Sequence, residues 1–161
     1  MKYLLMDRAG QAELIGKLGV MPEYLDARFG KLSSEEALRP GPDAGFSPVE
    51  QCWHLADLER EGFGERMRRL RAEDKPHLPD FDGAAIARDR NYRGKSLAEA
   101  LAAFRRAREE NLAFIASIGT SEWIRAGVQD GVGPVSLCDI PAMMSEHDAA
   151  HRAEIEAWRR Q

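Results

Sequence analysis

The run Glu146-His147-Asp148-Ala149-Ala150-His151 sets two histidines four residues apart, and it holds half of the four histidines in the chain. On a helix, side chains at that spacing stand one above the other on the same face, with Cβ atoms roughly 5–6 Å apart. Two neutral imidazoles placed this way can share one metal ion at about 2.0–2.1 Å from each nitrogen. The pattern is not the zinc-protease motif H-E-x-x-H. Asp148 stands where that motif carries its general base, so peptide hydrolysis is not expected.

The elements around the pair decide which way it faces. Leu137, Ile140, Met143, Met144, His147, His151, Ile155 and Trp158 recur at spacings of three and four, which predicts one helix with both histidines on its apolar stripe. Two inward imidazoles each need a hydrogen-bond partner, or a shared metal that satisfies one nitrogen on each ring. Periodicity leaves both readings open. His54 is the candidate third ligand, but at about 100° per residue it falls on a flank of its helix, beside Leu58 and Glu61, where a peripheral histidine is also expected. Asp57, three residues on, reads as a solvated carboxylate or as a partner for His54. A fourth ligand could come from Glu154 or from another chain.

Four long helices are predicted. The first follows Asp7, a candidate N-cap, and carries Leu14, Ile15, Leu18, Met21 and Leu25, with a break at Pro22. A connector covers residues 33–45. The second helix opens on the Ser47/Glu50 capping box with Pro48 at its first position and ends near Glu73 in an arginine cluster that reads as a solvated face. Val49, Cys52, Trp53, Ala56, Phe63, Met67 and Leu70 form its apolar face. Gly62 and Gly64 mark a bend or a close contact. Residues 74–95 form a long linker, with a helical turn near 84–88 and His77 as a surface residue. The third helix opens on Ser96 and Glu99 and stops at Gly119. Residues 120–134 read as a small hairpin, and the fourth helix opens on Ser136 and Asp139. The fold class that follows is all-α, an antiparallel four-helix bundle with a long linker between helices 2 and 3, in one domain over residues 1–161.

The run Phe46-Ser47-Pro48-Val49-Glu50-Gln51-Cys52-Trp53-His54-Leu55-Ala56-Asp57-Leu58-Glu59 resembles the second-helix signature of the DinB-like (YfiT-like) superfamily of small bacterial bundle proteins. The run from Val135 through Met144, His147 and His151 to Ile155 is similar to that family's last helix. The resemblance implies a three-histidine metal site on His54, His147 and His151. It also implies a divalent transition metal such as zinc, nickel or iron, and makes a homodimer plausible. Characterised members include transferases of low-molecular-weight thiols and a thiol-dependent isomerase, and others are described as metal-dependent hydrolases. The expectation is therefore a metal-dependent thiol S-transferase acting on an electrophilic small molecule. The alternatives are a metal-dependent hydrolase and a non-catalytic metal-binding or dimerisation bundle. Trp53, Met143 and Met144 are candidates to line the pocket, although each also fits plain core. No general base stands out in the sequence.

Composition narrows the rest. The chain has 161 residues, 43% hydrophobic and 31% charged, in the range of a globular protein. Its 23 basic and 27 acidic residues give a net charge of −4, which leaves no basic excess for general nucleic-acid binding. No apolar run approaches a membrane span, and Tyr3-Leu4-Leu5-Met6 is too short for a secretory signal, so a cytoplasmic protein is expected. Cys52 and Cys138 lack a C-x-x-C spacing and suggest no disulfide framework. Cys52 reads as core. Cys138 lies near a helix N-terminus, whose dipole would favour a thiolate.

Overall fold

The computed structural model describes residues 5–161; Tyr3 and Leu4 of the N-terminal apolar run lie outside them. The first bundle helix comes in two pieces, α1 (Arg8–Gly19) and α2 (Met21–Phe29). The Asp7 carboxylate accepts from the Gly10 amide at 2.7 Å, and Pro22 stands in the first turn of α2 just past the break. The connector contains a short helix, α3 (Ser34–Leu38), closed by a Ser33/Glu36 capping box that the sequence reading passed over.

The second bundle helix is continuous but not uniform. It runs through α4 (Pro48–Asp57), a π-helical segment (Leu58–Gly64) and α5 (Glu65–Ala72). In the π-helical turns backbone carbonyls are freed from the usual ladder. The Asn111 amide donates to one of them, that of Glu59, at 2.8 Å. Gly64 makes room for this: a Cβ there would stand 2.7 Å from Asn111 Oδ1. A close contact, rather than a bend, is what this glycine serves.

The chain then forms β1 (His77–Leu78), α6 (Gly83–Asp89), α7 (Leu97–Ser117), β2 (Ala126–Gln129), β3 (Gly133–Ser136) and α8 (Asp139–Arg159). The expected hairpin is present: β2 and β3 pair antiparallel, with Gly131 and Gly133 in the left-handed region at φ 73° and 95°. The two-residue β1 adds to it in parallel, His77 beside Val128. Ser136 ends β3 rather than opening the helix, and its amide and hydroxyl both donate to Asp139 Oδ2, at 2.7 and 2.8 Å.

Side-chain contacts fix the helix directions. Gln11 of α1 donates to Ile115 O while Arg105 pairs with Glu23 and Asp26, so the first bundle helix and α7 run antiparallel. Gln51 meets Glu154 and Phe63 meets His147, so the second bundle helix and α8 are antiparallel as well. Trp53, however, bonds Ser96 O and Arg71 bonds Ser117, so the second bundle helix and α7 point the same way. A tight turn joins only antiparallel neighbours. The 21 residues of α7 span about 30 Å, and the linker must climb back over that length. That is why it is long.

Two apolar clusters fill the interior. One holds Leu18, Phe63, Met67, Ile115, Trp123 and Met144; the other holds Met21, Phe29, Cys52, Phe104, Ile155 and Trp158. Between them along the helices falls a polar layer. Arg108 reaches both Glu59 and Asp148 with two hydrogen bonds each, and its side chain is 1% exposed. The three histidines occupy the same level.

Candidate metal centre

On α8, His147 and His151 stand one turn apart with ring centroids separated by 4.3 Å. From α4 the His54 ring approaches both, at 5.5 and 5.1 Å. All three present Nε2 to one point: His147 Nε2 is 3.0 Å from that of His151 and 3.4 Å from that of His54. Two nitrogens bound to one ion at about 2.0–2.1 Å, at angles between octahedral and tetrahedral, stand about 2.9–3.4 Å apart. Those two separations fit that donor geometry, and the ligand atoms of all three residues lie within 4.8 Å of one another. Among the described residues, no other group of three or more histidine, cysteine, aspartate or glutamate side chains converges in this way.

His54 is buried, whereas helical periodicity places it on a flank. The linker is the reason. Phe81 and Gly83 close over that flank, and a Cβ on Gly83 would lie 2.6 Å from His54 Cε1. Phe46, from the loop before α4, covers another side with its ring centroid 5.5 Å away, and Phe63 packs edge-on against His147. His54 Nδ1 is buried without a hydrogen-bond partner.

Burial and the neighbouring imidazoles hold His54 and His147 neutral. Desolvation, then the nearby His151, lowers His54 to about 4, and the same two causes with His54 added lower His147 to about 3. Near neutral pH their ring nitrogens therefore keep lone pairs.

His151 is fixed from behind. Its Nδ1 lies 2.5 Å from Gln51 Oε1 and 3.1 Å from Glu154 Oε2, and Gln51 Nε2 donates to Glu154 at 2.7 Å. The amide oxygen of Gln51 can only accept, so Nδ1 carries the proton and Nε2 turns its lone pair inward. Glu154 is thus placed on the outer nitrogen of a ligand and not at the centre itself. The hydrogen bond from His151 holds its carboxyl at about 2. Sequence reasoning missed Gln51, yet the signal is there: Gln51-x-x-His54 on α4 faces His151-x-x-Glu154 on the antiparallel α8.

Several expectations change. Asp57 is neither solvated nor bonded to His54; it is 5% exposed and accepts from Arg90 and from the Tyr92 hydroxyl, at 2.6 and 2.5 Å. Trp53 stacks on Tyr92, and Met144 lies in the core with Met143 packed against the same cluster. Cys138 is buried, and desolvation beside Asp139 raises its thiol to about 11, the reverse of a helix-dipole thiolate. Burial raises Cys52 as well. Of the arginine cluster, Arg66 is buried on Pro79 O, and Arg68, Arg69 and Arg71 pair with Glu65, Glu73 and Glu122. His77 is exposed as expected and meets Asp130. Among the described residues no helix is long and apolar enough to cross a membrane.

The model of the DinB superfamily matches residues 18–155. A solved structure, described as "YfiT from Bacillus subtilis is a probable metal-dependent hydrolase with an unusual four-helix bundle topology", superposes with a TM-score of 0.89. The two share 16% identity, over 99% of this chain and 91% of that one, so the likeness is one of fold. No curated protein matches the chain.

Proposed function

The chain belongs to the DinB superfamily, and from that premise we propose a metal-dependent enzyme in which His54, His147 and His151 hold one divalent transition-metal ion. The convergence of three Nε2 atoms in a buried place, with no carboxylate or thiol among them, carries the reading. Three imidazoles suit zinc, nickel or iron and leave both the ion's charge and open coordination positions. When bound, such an ion supplies Lewis acidity that lowers the pKa of a nearby thiol or water.

The chain's own residues prepare the place. Burial keeps His54 and His147 unprotonated, and Gln51 with Glu154 aims His151 inward. Phe46, Phe63 and Phe81 crowd the rings and restrict water.

The reaction we propose is transfer of a low-molecular-weight thiol to an electrophilic small molecule: a C–S bond forms and the leaving group departs with its electron pair. The supporting observation is that, among the described residues, the carboxylates beside the histidines are already engaged. Asp148 is engaged by Arg108, Asp57 by Arg90 and Tyr92, and Glu154 is held at about 2. A thiol, with an ordinary pKa of about 8.5, would ionise beside such an ion by giving its proton to solvent, without help from a carboxylate. Hydrolysis is the second reading, favoured by the description of YfiT as a probable metal-dependent hydrolase.

Elemental analysis of purified protein beside His151→Ala tests the site. The expected result is one divalent ion per chain, lost in the variant; a wild type without metal removes the reading. The loaded protein is then assayed for conjugation of cellular thiols to reactive halides and epoxides, and for ester hydrolysis. Conjugation supports transfer, whereas hydrolysis alone supports the second reading.

A further inference from the structure

Beside the edge of His151 that meets Gln51 and Glu154 lies a cavity of about 330 Å³. Phe46, Pro42 and Ala157 give it apolar walls, and Gln51, His151 and Glu154 its polar side. Among the described residues that line it, Glu154 is the only aspartate, glutamate, lysine or arginine. Its hydrogen-bond partners are Gln51 and His151, both at Oε2; among the described residues no lysine or arginine pairs with it. The side chain is 56% exposed.

The far wall is a formed loop. The Gly41 amide bonds Gly45 O and the Gly45 amide bonds Pro42 O, both at 3.0 Å. Asp43 and Ala44, neither a glycine, sit consecutively in the left-handed region at φ 54° and 58°. Such residues cost energy and persist where their surroundings hold them. Arg39, just ahead of the loop, is held over the Trp158 ring, 4.3 Å from its centroid. No cation on the loop therefore answers Glu154.

We propose that this cavity is a subsite for an organic cation, the ammonium group of the small-molecule substrate, with Glu154 as its counter-charge and Phe46 as an aromatic wall. An anionic ligand would be repelled by that carboxylate, and a neutral one would desolvate it without supplying a counter-charge. A cation gains both the ion pair and the face of an aromatic ring. Glu154 and the three converging Nε2 atoms lie on opposite sides of one imidazole. The substrate therefore carries its ammonium only a few bonds from its reacting atom. Calling the cation part of a substrate rests on the metal-enzyme reading; binding of the cation itself does not.

Benzyltrimethylammonium is the probe, because a quaternary nitrogen cannot ligate a metal and so reports the subsite alone. Titration calorimetry is run on metal-free and on zinc-loaded protein, with benzyl alcohol as the neutral counterpart. Two variants separate the causes. Glu154→Gln keeps an oxygen for Gln51 and His151 but removes the charge; Ala157→Leu fills the cavity without touching either. The expected result is saturable binding to both forms of the wild type, at least tenfold tighter than benzyl alcohol, and at least tenfold weaker in each variant with its melting temperature retained. Equal binding by Glu154→Gln, equal binding of benzyl alcohol, or no heat with folded wild type would each overturn the subsite. Metal content is measured on the same samples. Cation binding in a protein that never takes up metal removes the enzyme reading and leaves the subsite standing; a loaded protein that ignores the probe does the opposite.

Discussion

Arg108 and Asp148 form a two-point ion pair in the bundle interior, with N–O distances of 2.7 and 2.9 Å. Asp148 follows His147 directly, so this pair fixes the turn of α8 that carries the first histidine. Arg108 also holds Glu59, and two carboxylates therefore depend on one guanidinium in a buried place. Breaking a buried pair by removing one partner costs about 3–5 kcal/mol. Arg108→Met is expected to lose that much in denaturant unfolding. Adding Glu59→Gln and Asp148→Asn should restore a good part of it, because no buried charge is then left alone.

Gln51 acts on His151 without approaching the point where the Nε2 atoms meet. Removing such an outer partner weakens metal affinity by about 10–100-fold. Gln51→Ala is expected to show that loss in a competition titration of zinc against a chelating dye, with unfolding changed little. An unchanged zinc affinity would assign the 2.5 Å contact to packing alone.

Gly83 is the steric support of His54. A Cβ there would lie 2.6 Å from Cε1 and 2.7 Å from Nδ1 of the ring, closer than atoms tolerate. Gly83→Ala must therefore move either His54 or α6. The expected outcome is weaker zinc binding and, in spectra of the cobalt-substituted protein, a distorted ligand field. Gly16→Ala is the control: nothing lies within 4 Å of its Cβ and it sits inside α1, so the substitution should be neutral or mildly stabilising.

These residues also show what the sequence could and could not convey. His147 and His151 were legible because both ligands share one helix and its periodicity turns them inward. His54 was legible only through the family resemblance, because periodicity describes packing within the bundle, and its flank is covered by Phe81 and Gly83 of the linker. Asp57 looked solvated for the same reason, since Tyr92 and Arg90 reach it from about a linker's length away. The capping box at Ser47 is local and forms as expected, whereas the Ser136–Asp139 hydrogen bonds form with Ser136 still in β3 and Cys138 as the helix cap. The π-helical segment shifts hydrogen bonds while leaving composition nearly unchanged, so only Gly62 and Gly64 hinted at it. The parallel course of α7 and the second bundle helix was implicit in the length of the linker, but a length alone does not say which way a helix returns.

The two depressed histidines set a direction for acid stability in the metal-free protein. His54 at about 4 and His147 at about 3 lie below the ordinary value of 6.5. Between those limits the unfolded chain binds protons that the folded chain refuses, so stability rises with pH across the window. The contribution is complete above about pH 6.5 and is lost as pH falls through 4 towards 3. Urea midpoints of chelator-treated protein should therefore drop between pH 7 and pH 5. In a His54→Gln, His147→Gln double variant that drop should shrink, since neither position then takes up a proton on unfolding. Zinc, which binds only the deprotonated rings, should raise the wild-type midpoint most at pH 7 and progressively less towards pH 5. A zinc effect independent of pH would mean that the ion is held elsewhere.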